Sequence, residues 1–171
     1  MNKLFKFITL SLSILLLSNI SSCSSKVDLP HFDLDESIDY VTFKEYELDN
    51  IKNMYNQKEN TYYVYLYRID CPTCNTCKNS LLGYLDLYSK GEVDTKLYLY
   101  NTVNLKNDYP SFNNGSNFED EEEVKNYMLS NNINKIEDTI IKVVPSLYVI
   151  SNNYLSDYYY GYDVISYIFN F

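Results

Sequence analysis

Thr61-Tyr62-Tyr63-Val64-Tyr65-Leu66-Tyr67-Arg68-Ile69-Asp70-Cys71-Pro72-Thr73-Cys74-Asn75-Thr76-Cys77 is the stretch on which the reading of this chain turns. From Thr61 to Ile69 it is apolar or aromatic on both alternating faces apart from Arg68, the pattern of a strand covered by helices on both sides. Three of the 4 cysteines follow at once, at 71, 74 and 77. A strand that ends in Cys-x-x-Cys and then turns into a helix is the layout of a thiol–disulfide redox site.

Downstream, Leu81, Leu82, Leu85 and Tyr88 recur at helical spacing, and Lys90-Gly91 supplies a stop. Thr95 to Val103 reads as a second aromatic-rich strand, and Asn104 to Asn117, rich in Asn, Gly, Ser and Pro, as a loop. The acid run Glu119-Asp120-Glu121-Glu122-Glu123 leads into Val124 to Leu129, where acids suit the positive end of a helix dipole. Ile140 to Ile150 is β-rich around Pro145, Ser151-Asn152-Asn153 is a turn, and Tyr154 to Tyr160 pairs back as a hairpin. Gly161 breaks the pattern before a closing helix built on Val164, Ile165, Ile168 and Phe169. Upstream, Ile38, Tyr40 and Val41 suggest a first strand, and apolar residues at 43, 48, 51, 54 and 55 predict one amphipathic helix. The expected order is β-α-β-α-β, an inserted helix, then β-β-α, with neither an internal repeat nor a second domain.

The cysteine spacing carries its own chemistry. Cysteines at i and i+3 can meet when the first sits at a helix N-terminus, where the dipole and unpaired N–H groups stabilise a thiolate. Pro72 suits the first helical position, since its missing N–H would have had no partner. Cys71 is therefore expected to be the exposed attacking thiolate and Cys74 the shielded resolving thiol. Asp70 opposes a thiolate at Cys71, and Arg68 is the group that could offset it. Cys77 shares a helix face with Cys74. It reads as an inert buried thiol, a second resolving thiol, or one of three sulfurs at a metal. The site residues carry no metal or cofactor expectation, because zinc normally takes four protein ligands, or three with an open position. The single histidine, His31, lies far off in a polar segment.

The N-terminus reads as a targeting segment. Lys3 and Lys6 precede an apolar run from Phe7 to Leu17, too short for an ordinary membrane span, and Ile20-Ser21-Ser22-Cys23 follows. Those four residues resemble the lipobox of bacterial lipoproteins, which implies a signal over 1–22 and an acylated Cys23 as the mature N-terminus. The bland reading is a cleaved secretory signal that leaves Cys23 an ordinary thiol. Residues 23–37 are expected to be lipidated terminus and linker, and 38–171 a single domain. The net charge is −9, and losing Lys3 and Lys6 makes it −11. That argues against nucleic acid as a partner and against adhesion to anionic lipid by charge.

Three features together resemble the thioredoxin-like superfamily: the strand into Cys71-Pro72-Thr73-Cys74, the Val144-Pro145-Ser146 step before a hairpin, and Gly161 before the last helix. Small secreted members such as bacteriocin-transport accessory proteins are the most similar. The resemblance implies an α/β fold with a central mixed sheet flanked by helices and a helical insertion before the strand of a cis Pro145. It implies that Pro145 packs beside the cysteines and that the backbone of Val144 pairs with extended substrate. It further implies an extracytoplasmic, membrane-anchored oxidoreductase acting on exported protein thiols and disulfides, and a membrane redox partner that recycles it. Two positions depart from the family: Asp70 stands where an aromatic usually precedes the first cysteine, and Tyr65 where thioredoxins carry a buried acid. The alternative is a non-catalytic surface lipoprotein that uses the fold as a protein-binding module.

Overall fold

The structure is a computed structural model that describes residues 28–169. The signal segment 1–22 and Cys23 lie outside the described residues. The aromatic run before the cysteines forms β1 (Thr61–Tyr67) and the cysteine stretch opens α1 (Pro72–Ser89), followed by β2 (Lys96–Asn101). A short helix, α2 (Leu105–Asp108), then precedes α3 (Glu121–Ser130), β3 (Ser146–Ser151), β4 (Tyr154–Tyr160) and α4 (Asp163–Ile168). The strands make one mixed sheet in the order β2-β1-β3-β4. β1 runs parallel to β2 and antiparallel to β3, and β3 is antiparallel to β4.

Both faces of the sheet are covered, which explains the unbroken apolar run of β1. Tyr62, Val64 and Leu66 point into one core layer with Tyr98, Tyr148 and Ile150, closed by Val124 and Met128 of α3. Tyr65 and Tyr67 point into the other with Leu97, Leu99, Leu147 and Val149, closed by α1 and α4. The hairpin between β3 and β4 turns on Asn152 and Asn153, both at positive φ (51° and 67°), a conformation asparagine tolerates better than most residues. The acid run does cap a helix: the Asp120 side chain accepts from the Glu123 N–H, with Glu121, Glu122 and Glu123 in the first turn.

The segment before β1 differs from its expectation. No strand forms at 38–41, and no single helix spans 43–55. Asp39 instead caps a 3-10 turn, Tyr40–Tyr46, through a reciprocal box with Thr42. Glu47 then becomes extended and bridges to Leu99, and Leu48 N–H donates to the Leu99 carbonyl at 2.8 Å. Asn50 caps a second 3-10 turn, Ile51–Asn53. The near-helical apolar spacing arises because the segment wraps the β2 edge of the sheet: Phe43 buries in the α1 layer, whereas Leu48, Ile51, Met54 and Tyr55 bury in the α3 layer. Wrapping also covers backbone that an edge strand would expose.

Two further differences bear on the site. The 104–117 region is not all loop, since α2 lies within it and buries Leu105. Part of the expected linker docks on α1. Asn79 accepts from Phe32 N–H at 2.7 Å and donates back to the Phe32 carbonyl at 3.0 Å, while the Ser80 hydroxyl donates to the Pro30 carbonyl at 2.5 Å. Gly83 lies directly under the Phe32 ring, where an added Cβ would overlap it.

Candidate active site

β1 stops at Tyr67 and the chain turns through Arg68 to Asp70, with Cys71 N–H donating to the Arg68 carbonyl at 3.2 Å. That turn delivers Cys71 as the N-cap of α1 in extended backbone (φ −90°, ψ 118°), with Pro72 in the first turn. Its sulfur accepts from the Cys74 N–H at 3.1 Å, so it takes one of the donors that a helix start leaves unpaired. The same sulfur donates to the Val144 carbonyl at 3.4 Å. Residues 73 positions apart thus meet at one atom. The Val144–Pro145 bond is cis, and Pro145 is buried.

Cys71 is not exposed: it keeps 7 % of its surface, while Cys74 and Cys77 keep 1 % and 0 %. The expectation of an open attacking thiol is corrected by the Val144 loop, which folds over the sulfur from the far side. All three are free thiols. Burial, then the neighbouring Cys71 sulfur, pushes the Cys74 thiol up to about 12; burial, then Cys71, pushes Cys77 up to about 12 as well. Desolvation penalises the thiolate in both cases. Cys77 sits one turn below Cys74 inside the α1 layer. Among the described residues, no group of three or more His, Cys, Asp or Glu is gathered to hold a metal ion, and His31 is exposed.

Arg68 and Asp70 pair with each other: Arg68 Nε donates to Asp70 Oδ1 at 2.5 Å, both side chains being half or more exposed. The pair forms across the turn after β1, not along the strand. Behind the cysteines stand two tyrosines. Tyr65 is fully buried in their layer, with Tyr40 beside it, and neither hydroxyl has a hydrogen-bond partner among the described residues. Burial raises both phenols, that of Tyr65 well above its usual value, and the nearby cysteine sulfurs act in the same direction.

Beside the Cys71–Val144 contact lies a groove of about 390 Å³, walled by Arg68 and Asp70, by Val103 and Lys106 after β2, and by Lys142 and Val144. Sequence patterning missed this groove, as it missed Tyr40. Its walls come from three separate segments, and the only trace in the sequence is the pair of lysines set in otherwise polar or apolar stretches. Among the described residues, no helix is long and apolar enough to cross a membrane. No protein-family model matches this chain, and no curated protein matches it either.

Proposed function

We propose that the chain is a thiol–disulfide oxidoreductase of thioredoxin-like architecture, anchored at the outer face of the cytoplasmic membrane through acylated Cys23 and acting on cysteines of exported proteins. The observation that carries this reading is the double contact of the Cys71 sulfur, with the Cys74 N–H on one side and the Val144 carbonyl on the other. The strand order and the position of the cysteines at the end of a central strand support the architecture.

In the reductive direction the Cys71 thiolate attacks one sulfur of a partner disulfide. A mixed disulfide forms and the other partner sulfur leaves as a thiolate. Cys74 then attacks the Cys71 sulfur and releases the second partner thiolate. The site loses two electrons and two protons, and the partner gains them; the reverse sequence oxidises a partner dithiol. The Cys71 sulfur is one of the causes that hold Cys74 protonated. Bonding that sulfur to a partner removes its charge and its acceptor role, so Cys74 ionises more readily at the step that needs it. A membrane protein that exchanges disulfides with the Cys71–Cys74 pair recycles it.

The low exposure of Cys71 favours a second reading, a non-catalytic binding module. Insulin reduction with dithiothreitol separates the two readings, together with capture of partners by a Cys74→Ser variant. The enzyme reading requires turnover by the wild type and mixed disulfides through Cys71 in the variant. Absence of both leaves the binding module.

A further inference from the structure

The groove beside Cys71 departs in charge from the rest of the molecule. The chain carries 23 acidic residues against 14 Lys and Arg, yet the groove walls carry Arg68, Lys106 and Lys142 against Asp70 alone. Asp70 is already paired with Arg68, through Nε, one of the five N–H donors of a guanidinium. The other two cations of the wall, Lys106 and Lys142, have no ion pair among the described residues. Lys142 is held in place by donating to the Phe118 carbonyl at 2.9 Å. Lys106 is exposed and has no ion pair among the described residues. Its helix is fixed from both ends: the Thr102 hydroxyl donates to the Tyr67 carbonyl at 3.1 Å, and Tyr100 to Asp108 at 2.7 Å. The cations therefore stand on anchored backbone.

The rest of the groove wall is mixed, Thr102 standing among apolar side chains. Val103 is 59 % exposed, and Val144 and Phe112 complete the wall. Apolar side chains beside two lysines in one groove wall suit an extended chain that alternates apolar and carboxylate side chains. Val144 belongs at once to this groove and to the contact with the reactive sulfur, so the groove starts where a partner cysteine would be joined.

We propose that this groove receives an extended acidic segment of the partner polypeptide, lying beside its reactive cysteine. The assignment rests on the redox reading of Cys71, and it narrows the substrate class to exported proteins whose cysteine is flanked by Asp or Glu with aliphatic residues. At physiological salt, screening over roughly 8 Å confines the repulsion of the acidic remainder, so the local cations govern.

The test uses the full chain and two fluorescent peptides with serine in place of cysteine. One has flanking Asp/Glu and Val residues, and the other has Lys at each acidic position. By anisotropy at 0.15 M salt the acidic peptide is expected to bind about tenfold more tightly. Lys106→Glu should weaken it about three- to tenfold, with the thermal midpoint unchanged. Lys58→Glu makes the same change of net charge at an exposed site just before β1, at the end of the strand remote from Cys71, and should leave binding unchanged. Lys106→Gln should fall between wild type and Lys106→Glu. Equal affinity for both peptides, equal effects of the Lys106 and Lys58 variants, or no binding of the acidic peptide up to about 1 mM overturns the docking assignment. Turnover of a small aromatic disulfide, which does not need the groove, is measured in parallel. Its loss with peptide discrimination intact sinks the redox reading alone; its presence without discrimination sinks the docking alone.

Discussion

Tyr65 occupies the centre of the cysteine layer and spends a buried hydroxyl on no partner among the described residues. An unpaired buried hydroxyl costs about 1–3 kcal/mol of desolvation, so Tyr65→Phe is expected to hold or raise stability by about 1 kcal/mol in urea unfolding. A loss of that size would mean that the hydroxyl is bonded in solution. The three thiols should separate in the same way. With the native reduced protein, iodoacetamide should modify Cys71 first and leave Cys77 untouched until unfolding, because Cys77 has no exposed surface and its thiol is pushed up to about 12. Equal labelling of Cys71 and Cys77 would contradict this geometry. The placement of Cys71 at the helix start and of Cys74 one turn in was legible from spacing, since a strand, two cysteines and a proline place themselves. The cover over Cys71 was not, because it is built by Val144, after α1, β2, α2 and α3 have intervened. Tyr40 was not legible for the same reason: its neighbour Tyr65 lies beyond the whole 3-10 segment.

Elements were legible wherever one pattern held along a whole segment. β1, α1, α3 and the β3–β4 hairpin form within the stretches that predict them, because each keeps its own pattern, unbroken apolar for a strand covered on both faces and helical for a stripe packed on the sheet. The 43–55 segment failed that condition. Its apolar residues serve opposite faces of the sheet around an edge, and spacing alone cannot tell a stripe from a wrap. Docking of the N-terminal segment on α1 rests on Gly83 in a way no pattern reveals. Alanine normally stabilises a helix interior relative to glycine by up to about 1 kcal/mol; here its Cβ would overlap the Phe32 ring, and overpacking costs roughly 1–3 kcal/mol. Gly83→Ala is therefore expected to destabilise the wild type but to stabilise a Phe32→Ala background. A double-mutant cycle checks this reversal of sign, and the same sign in both backgrounds would remove Phe32 from α1. The Asp120 cap is a simpler case, and Asp120→Ala should cost about 1 kcal/mol.

Across the whole molecule the titratable core is phenolic and thiolic, with 20 tyrosines in the chain. Burial raises Cys74 and Cys77 from 9.0 to about 12, and Tyr62 and Tyr67 from 10.0 to about 12. Each folded value lies above its unfolded one, so the stability these groups contribute is intact below pH 9 and is lost as pH climbs towards 12, where the unfolded chain has already released its protons. The urea midpoint of the reduced protein should accordingly fall from pH 9 upward, and a flat profile to pH 11 would show these groups to be solvated. The redox assignment unites the scales, since one strand end, one helix start and one distant loop meet at a single sulfur. Equilibration of the full-length Cys23→Ser chain in graded thiol–disulfide buffers, read by thiol labelling and peptide mass mapping, tests it most directly. Expected is one two-electron transition between about −270 and about −120 mV, the span of dithiol oxidoreductases, joining Cys71 to Cys74 while Cys77 stays reduced. No disulfide across that range, or one that joins Cys74 to Cys77, would contradict it.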